Sequence, residues 1–338
     1  MQLFQSWFVF SNITSLYLIF LSRPVFFNVA VPKDCFFPAA SHCKGEQPAS
    51  CVTQILGCFR IKWHSFAFYV AMYTGRLTYR NSVIAYQHYG VGNALLVCLH
   101  GYGENSNTFG LLAQRLGNTY TVIALDMPFH GSTEWKEPDP FSAAMLWEII
   151  TLLNTGRKPI SIMGFSMGGR LALTLLQQYP QHIQQLVLLA PDGLHTNPWY
   201  WLSTQTRTGN RLFRYTVSHP AWLFALIKLG RFTRLLHPSV CKIAMYYMSA
   251  PASRQLLYRR WTCLRLFRPK LAVVKENIRQ YQIPVHLVFG RFDNIILSKN
   301  GQQFSEGMEQ WVSVTLLDAG HQLLKEKNAA FISSLLVA

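Results

Sequence analysis

Short apolar runs alternate along this chain with helix-length amphipathic stretches, and nothing else in the sequence constrains its fold as tightly. The run Ala94–Leu99 (ALLVCL) is continuous rather than alternating, the mark of a strand buried on both faces. Residues 121–125, 160–163 and 186–190 repeat that pattern, and residues 108–116, 141–153 and 171–178 lie between the runs with a helical period. Residues 77–79 and Ser82–Tyr89 alternate like a hairpin ahead of the first run. Much later come strands at 285–289 and 313–317 and a closing helix at 329–337. Such an order predicts an α/β fold, a mostly parallel sheet with crossover helices on both faces. Residues 197–282 break the rhythm, being helical and aromatic with no buried strand. They predict an inserted cap. The expected domains are a core of 72–194 and 283–338, a basic helical cap of 195–282, and an N-terminal extension of 1–71.

One joint between strand and helix carries a chemical signal. In SIMGFSMGGR (161–170) a serine stands between glycines where an apolar run gives way to a helix. Small residues at Gly164 and Gly168 allow a sharp turn, since a side chain at either would strike the neighbouring strand or helix. The turn lifts the Ser166 hydroxyl above the sheet edge, beside the free N–H groups of a helix N-terminus. A serine hydroxyl needs a base, and the base needs an orienting acid. Asp293 follows the strand at 285–289, and His321 follows the strand at 313–317. Asp192, after an earlier strand, is the alternative acid. The chain order is serine, acid, histidine.

With these residues the chain from about Leu77 onward resembles the α/β-hydrolase superfamily, particularly bacterial capped esterases and lipase-like hydrolases. LLVCLHGYGENSNTF (95–109) is similar to the family's strand and His-Gly loop, with His100 and Gly101 supporting that loop. The resemblance implies that the backbone N–H groups of Tyr102 and Met167 form an oxyanion hole, which favours charge as it develops in the transition state. ALDMPFHGST (124–133) resembles the family's D-x-P-G-H-G-x-S loop, except that Phe129 stands where glycine is usual. The departure bears on the turn of that loop. An aspartate at position 166 would have pointed to an epoxide hydrolase or dehalogenase instead. Asp126 and Asp318 are expected to hydrogen-bond loop backbone, and His130 to be loop structure.

The expected activity is hydrolysis of a carboxylic ester with an apolar acyl or alcohol part, through an acyl-enzyme. The same triad also serves carbon–carbon bond hydrolysis, perhydrolysis and acyl transfer. A non-catalytic membrane-associated binding protein is the reading from another class. No dinucleotide fingerprint, phosphate loop or metal-ligand spacing appears, so no cofactor and no metal is expected.

Charge divides unevenly. Of 31 Lys/Arg and 15 Asp/Glu, residues 195–282 hold 15 basic groups and a single acid, Glu276, leaving the core nearly neutral. In NRLFRYTVSHPAWLFALIKLGRFTRLL, Arg211, Arg214, Lys228 and Arg231 interleave with Phe213, Tyr215, Trp222 and Phe232. Two readings stand: an interface with an anionic membrane surface, or aromatics lining a pocket with charges solvating the outer face. No nucleic-acid module is present. Leu3 to Leu21 is apolar and uncharged, and three readings of 1–71 remain: anchor, signal sequence, or an extension outside the working protein. Seven cysteines without paired spacing fit a reducing compartment, with Cys98, Cys241 and Cys263 as small buried residues. The expected location is cytoplasmic, with association to a membrane surface as the further reading.

Overall fold

A computed structural model describes residues 72–233 and 238–336 of the chain. The expectations for 1–71, including Cys35, Cys43, Cys51 and Cys58, lie outside the described residues. Eight strands form one sheet: β1 (Met72–Tyr79), β2 (Ser82–Tyr89), β3 (Ala94–Leu99), β4 (Tyr120–Leu125), β5 (Ile160–Phe165), β6 (Ile183–Leu189), β7 (Val285–Gly290) and β8 (Val312–Leu317). Their spatial order is β1-β2-β4-β3-β5-β6-β7-β8. Only β2 runs against the others, pairing antiparallel with β1 and β4, while β3 to β8 are parallel to their neighbours.

Hydrophobic period decides which way each side chain faces. Along β3, Leu95, Val97 and Leu99 enter one core layer, and Leu96 and Cys98 enter the other. The first layer is closed by α2 (Ala143–Leu153), α3 (Met167–Gln178) and α9 (Leu271–Tyr281), through residues such as Leu146, Leu171, Leu175, Val274 and Ile278. The second is closed by α1 (Gly110–Leu116) and α11 (Glu326–Ser334), through Leu112, Leu116 and Ile332. Each fully buried Leu, Ile or Val contributes about 1.5–3 kcal/mol. Cys98 and Cys263 are buried free thiols, and burial pushes both up, Cys263 to about 11.

Three boundaries differ from the sequence pattern. Strand β1 begins at Met72, because its first half is an edge whose residues face solvent and carry no apolar alternation. Helix α3 begins at Met167, its first turn concealed by Gly168 and Gly169, which are poor helix formers. The stretch from Ser106 opens as a 3-10 turn before α1, with the Asn105 side chain accepting from the Asn107 N–H.

The insertion after β6 contains α4 (Pro198–Gln205), α5 (Arg207–Ser218), α6 (Ala221–Phe232), α7 (Pro238–Ser249) and α8 (Pro251–Cys263). The Asn197 side chain caps α4, accepting from Trp199 and Tyr200, and Thr206 caps α5, accepting from Gly209. Helix α9 differs from these five. Its Val274 and Ile278 join the sheet's core layer, and Asn277 Nδ2 donates to the Leu176 and Gln177 carbonyls of α3. The basic residues Lys275 and Arg279 made α9 look continuous with the cap, although its apolar stripe belongs to the sheet.

The tightest contact in this architecture lies where α3 meets β3. A Cβ on Gly168 would stand 1.9 Å from the Leu99 carbonyl oxygen, and one on Gly164 would stand 2.6 Å from the Gly168 oxygen. Gly168→Ala should lower unfolding stability by about 3 kcal/mol, the upper range for forced overpacking, as measured by urea titration. A change under about 0.5 kcal/mol, typical of an unstrained surface substitution, would mean that helix and strand can separate freely.

Candidate active site

Strand β5 delivers the chain to Ser166, and α3 leaves from Met167. Between them Ser166 adopts φ 50°, ψ −113°, a left-handed backbone conformation that costs a non-glycine residue about 1–3 kcal/mol. Backbone bonds hold it there. The Ser166 N–H donates to the Leu189 carbonyl at 2.9 Å, and its own carbonyl accepts from Gly169 and Asp192, each at 2.9 Å.

The three residues singled out in the sequence meet above the ends of β5, β7 and β8. His321 Nε2 lies 3.0 Å from Ser166 Oγ, and His321 Nδ1 lies 2.7 Å from Asp293 Oδ2. Asp293 Oδ1 accepts from the Ile295 and Ile296 N–H groups at 2.7 and 3.0 Å. Burial opposes charge on Asp293, but the bonds from His321 and these two N–H groups outweigh it, leaving the carboxyl below its ordinary value. An ionised Asp293 requires Nδ1 of His321 to carry the proton, so Nε2 presents a lone pair to the serine hydroxyl. The alternative acid, Asp192, is turned elsewhere and pairs with Arg170 at 3.5 Å.

The two N–H groups of the expected oxyanion hole have no backbone acceptor among the described residues. Met167 is the first residue of α3 and has no intrahelical acceptor, and neither it nor Tyr102 donates to another carbonyl. Tyr102 is set in place through His100. The His100 Nε2 accepts from the Met127 N–H at 3.0 Å, which leaves the proton on Nδ1, donating to the Gly101 carbonyl at 2.7 Å. Burial pushes this imidazole down to about 4, so it stays neutral and can accept. His130 is also buried and neutral, depressed by burial and then by His100 and Arg260, and its Nδ1 donates to the Pro128 carbonyl at 2.9 Å.

Asp126 accepts from the Ser106 and Ser132 N–H groups at 2.7 Å each, as expected of a loop aspartate. Asp318 does not behave that way: its carboxylate takes the Arg291 guanidinium at 2.8 Å on the exposed surface. Phe129 has φ 63°, so the turn that usually has glycine is kept, with a bulky residue in the left-handed region.

Several neighbours carried no readable signal. Gln322 Nε2 donates to Glu104 Oε1 at 2.7 Å, tying the histidine loop to the loop after β3, and burial pushes the Glu104 carboxyl up. Arg170 lies 4.3 Å from the centre of the Tyr200 ring, so α4 rests on the serine helix. Each contact joins residues at least thirty positions apart, beyond any local pattern. Among the described residues no group of three His, Cys, Asp or Glu could hold a metal ion.

Comparison with known proteins bears on the fold. The sequence profile of the alpha/beta hydrolase fold matches residues 94–221. A serine hydrolase-like protein of Danio rerio is 36% identical over 104 residues, 29% of this chain and 31% of that protein. The chain thus spans about a third of the length of that relative. Monoacylglycerol lipase abhd6-B of Xenopus laevis is 22% identical over 242 residues, covering 69% of this chain and 71% of the relative. A solved carboxylesterase of Nitrososphaera gargenis shares the fold with a TM-score of 0.54 at 15% identity, over 78% of this chain and 97% of the other. Residues 94–221 thus match the alpha/beta hydrolase fold profile, and the chain has that fold.

The buried neutral histidines give stability a defined pH dependence. For His100 the folded pKa, about 4, lies below the ordinary 6.5, so between those values the unfolded chain binds more protons. Stability is therefore full above pH 6.5 and falls as pH drops toward 4, by about 1.4 kcal/mol per pH unit for each such group. Urea titrations at stepped pH should show this slope, and His130→Phe should flatten it. An unchanged midpoint from pH 7 to 4.5 would mean that neither imidazole is held neutral.

Proposed function

We propose that the protein hydrolyses carboxylic esters with an apolar acyl or alcohol part, through an acyl-enzyme on Ser166. The observation that carries this is the unbroken line from Asp293 through His321 to the Ser166 hydroxyl. Ser166 Oγ attacks the ester carbonyl while His321 Nε2 takes its proton. The carbonyl electrons move onto oxygen, facing the Met167 and Tyr102 N–H groups. Collapse of the tetrahedral species expels the alcohol, which takes the proton from His321. Water then attacks the acyl carbon as its proton passes to Nε2, and collapse breaks the bond to Oγ, which takes that proton back as the acid leaves. Asp293 holds the imidazole in orientation and favours its charged form.

The cap supports the interfacial reading of the basic segment. No helix among the described residues is long and apolar enough to cross a membrane. Trp199 is 75% exposed, Phe232 85% and Tyr246 73%, with Leu212, Tyr215 and Leu229 more than half exposed. Arg211, Arg214, Lys228 and Arg231 are exposed on the same helices, α5 and α6. Rings seated among headgroups and cations facing anionic lipid suit a substrate that is itself lipid-like.

Ser166→Ala should fold normally and lose covalent labelling by a serine-directed phosphonate, with ester turnover reduced by about 10³-fold or more, and His321→Ala should lose turnover comparably. Full labelling of the Ser166→Ala protein would exclude it as nucleophile. For the cap, the protein should sediment with vesicles containing anionic lipid, bind neutral vesicles less, and come off as salt rises. Equal binding to both, or to neither, would confine the cap to covering the substrate.

A further inference from the structure

Arg260 brings an uncompensated positive charge to the edge of the site. It extends from α8 onto the loop after β3, with Cζ 5.3 Å from the centre of the Tyr102 ring. Its Nε donates to the Phe129 carbonyl at 2.9 Å. Tyr102 is the residue whose N–H is proposed to face the oxyanion, so the guanidinium lies against the residue expected beside the reacting carbonyl. Tyr247 of α7 packs edge-on against the same ring, 5.4 Å between centres, and closes the corner with a second aromatic.

No ion pair among the described residues involves Arg260. Of the carboxylates on these loops, Asp126 takes the Ser106 and Ser132 N–H groups, and Glu104 takes Gln322 through Oε1 while its Oε2 is buried without a hydrogen bond; neither forms an ion pair with Arg260. The two histidines of this corner are neutral, and Arg259, 5.9 Å from the centre of the Phe129 ring, adds another cation. Within 195–282 the one acid is Glu276, on α9. Apart from the Tyr102 hydroxyl beside it, nothing in the described protein occupies the terminal nitrogens of Arg260. Guanidinium presents five N–H donors in a planar fork that matches carboxylate or phosphate with paired hydrogen bonds. The Nε–H is used here, by a backbone carbonyl that fixes the direction of the fork, and the Tyr102 hydroxyl lies beside the terminal nitrogens. The loop residue next to Tyr102, Gly103, is exposed, so the corner is open to a ligand.

We propose that Arg260 selects esters carrying an anionic group, a carboxylate or a phosphate, close to the scissile bond. This rests on the ester-hydrolase reading above. In a purely structural role Arg260 would pin the Tyr102 and Phe129 loops to the cap, and substrate charge would be irrelevant.

Two matched pairs of substrates separate these roles. One places charge on the acyl part, p-nitrophenyl butyrate against mono-p-nitrophenyl glutarate. The other places it on the alcohol part, a 1-acylglycerol against the corresponding 1-acylglycerol 3-phosphate. In at least one pair the wild-type protein should prefer the anionic ester by about tenfold or more in kcat/KM, mainly through a lower KM. Arg260→Gln should reduce that ratio about tenfold, and Arg260→Lys, which keeps charge but not the fork, should retain part of it. The pair that responds reports which side of the ester bears the anion. A wild-type preference for the neutral ester in both pairs, or the same ratios in wild type and Arg260→Gln, would overturn the proposal. If Arg260→Gln does not fold, the wild-type ratios and Arg260→Lys decide in the same way. Absence of turnover on all four esters would instead overturn the ester reading, and this inference with it.

Discussion

Gly168 packs its α-carbon against the Leu99 carbonyl, and the arrangement of the site depends on that contact. With no side chain at Gly168, α3 can start directly above β3 and β5, bringing the Met167 N–H to the end of the sheet. The same closeness forces the chain to reverse within one residue, placing Ser166 in a left-handed conformation that bonds to Leu189, Gly169 and Asp192 then maintain. A helix set farther from the sheet would need no such turn. It would also leave the hydroxyl unaimed and the N–H groups out of reach of a carbonyl.

Around that turn, charge is arranged by burial. His100 and His130 are enclosed and held neutral, so they serve as fixed hydrogen-bonding pieces of the loops that carry Tyr102 and Phe129. His321 keeps about a quarter of its side chain open and faces an ionised aspartate whose other oxygen is already occupied by backbone donors. One residue type thus fills two physical roles. Desolvation removes proton exchange from the first pair, while partial exposure and a carboxylate leave the third able to accept and return a proton.

The cap shows how composition can mislead about architecture. Fifteen basic groups against one acid made residues 195–282 look like a single body. Helix α9 nonetheless belongs to the sheet, because an apolar stripe of Val274 and Ile278 fits against α3 whatever charges cover its outer side. The five helices before it expose rings and cations together and reach the core through individual contacts, Tyr200 with Arg170 and Arg260 with Tyr102 and Phe129.

Local physics wrote much of this protein into the chain. Strand and helix periods, glycines at a crowded turn, and the order of serine, acid and histidine are properties of neighbouring residues, and they marked the sheet and the three residues that meet above it. Asp192 stayed open as the alternative to Asp293 on that basis, since both follow strands; in the fold Asp192 pairs with Arg170 and Asp293 with His321. Phe129 looked like a break in a glycine turn, but the surrounding loop holds its backbone at φ 63°. Asp318 met Arg291 across two loops rather than capping its own. Arg260 was one cation among many until the packing of α8 set it beside Tyr102 with no acid paired to it among the described residues. Periodicity and turn chemistry act over a few residues, whereas pairing, burial and the absence of a counter-charge depend on partners that lie well outside that range, Asp192 with Arg170 and Arg260 with Tyr102, and only the folded chain brings those together.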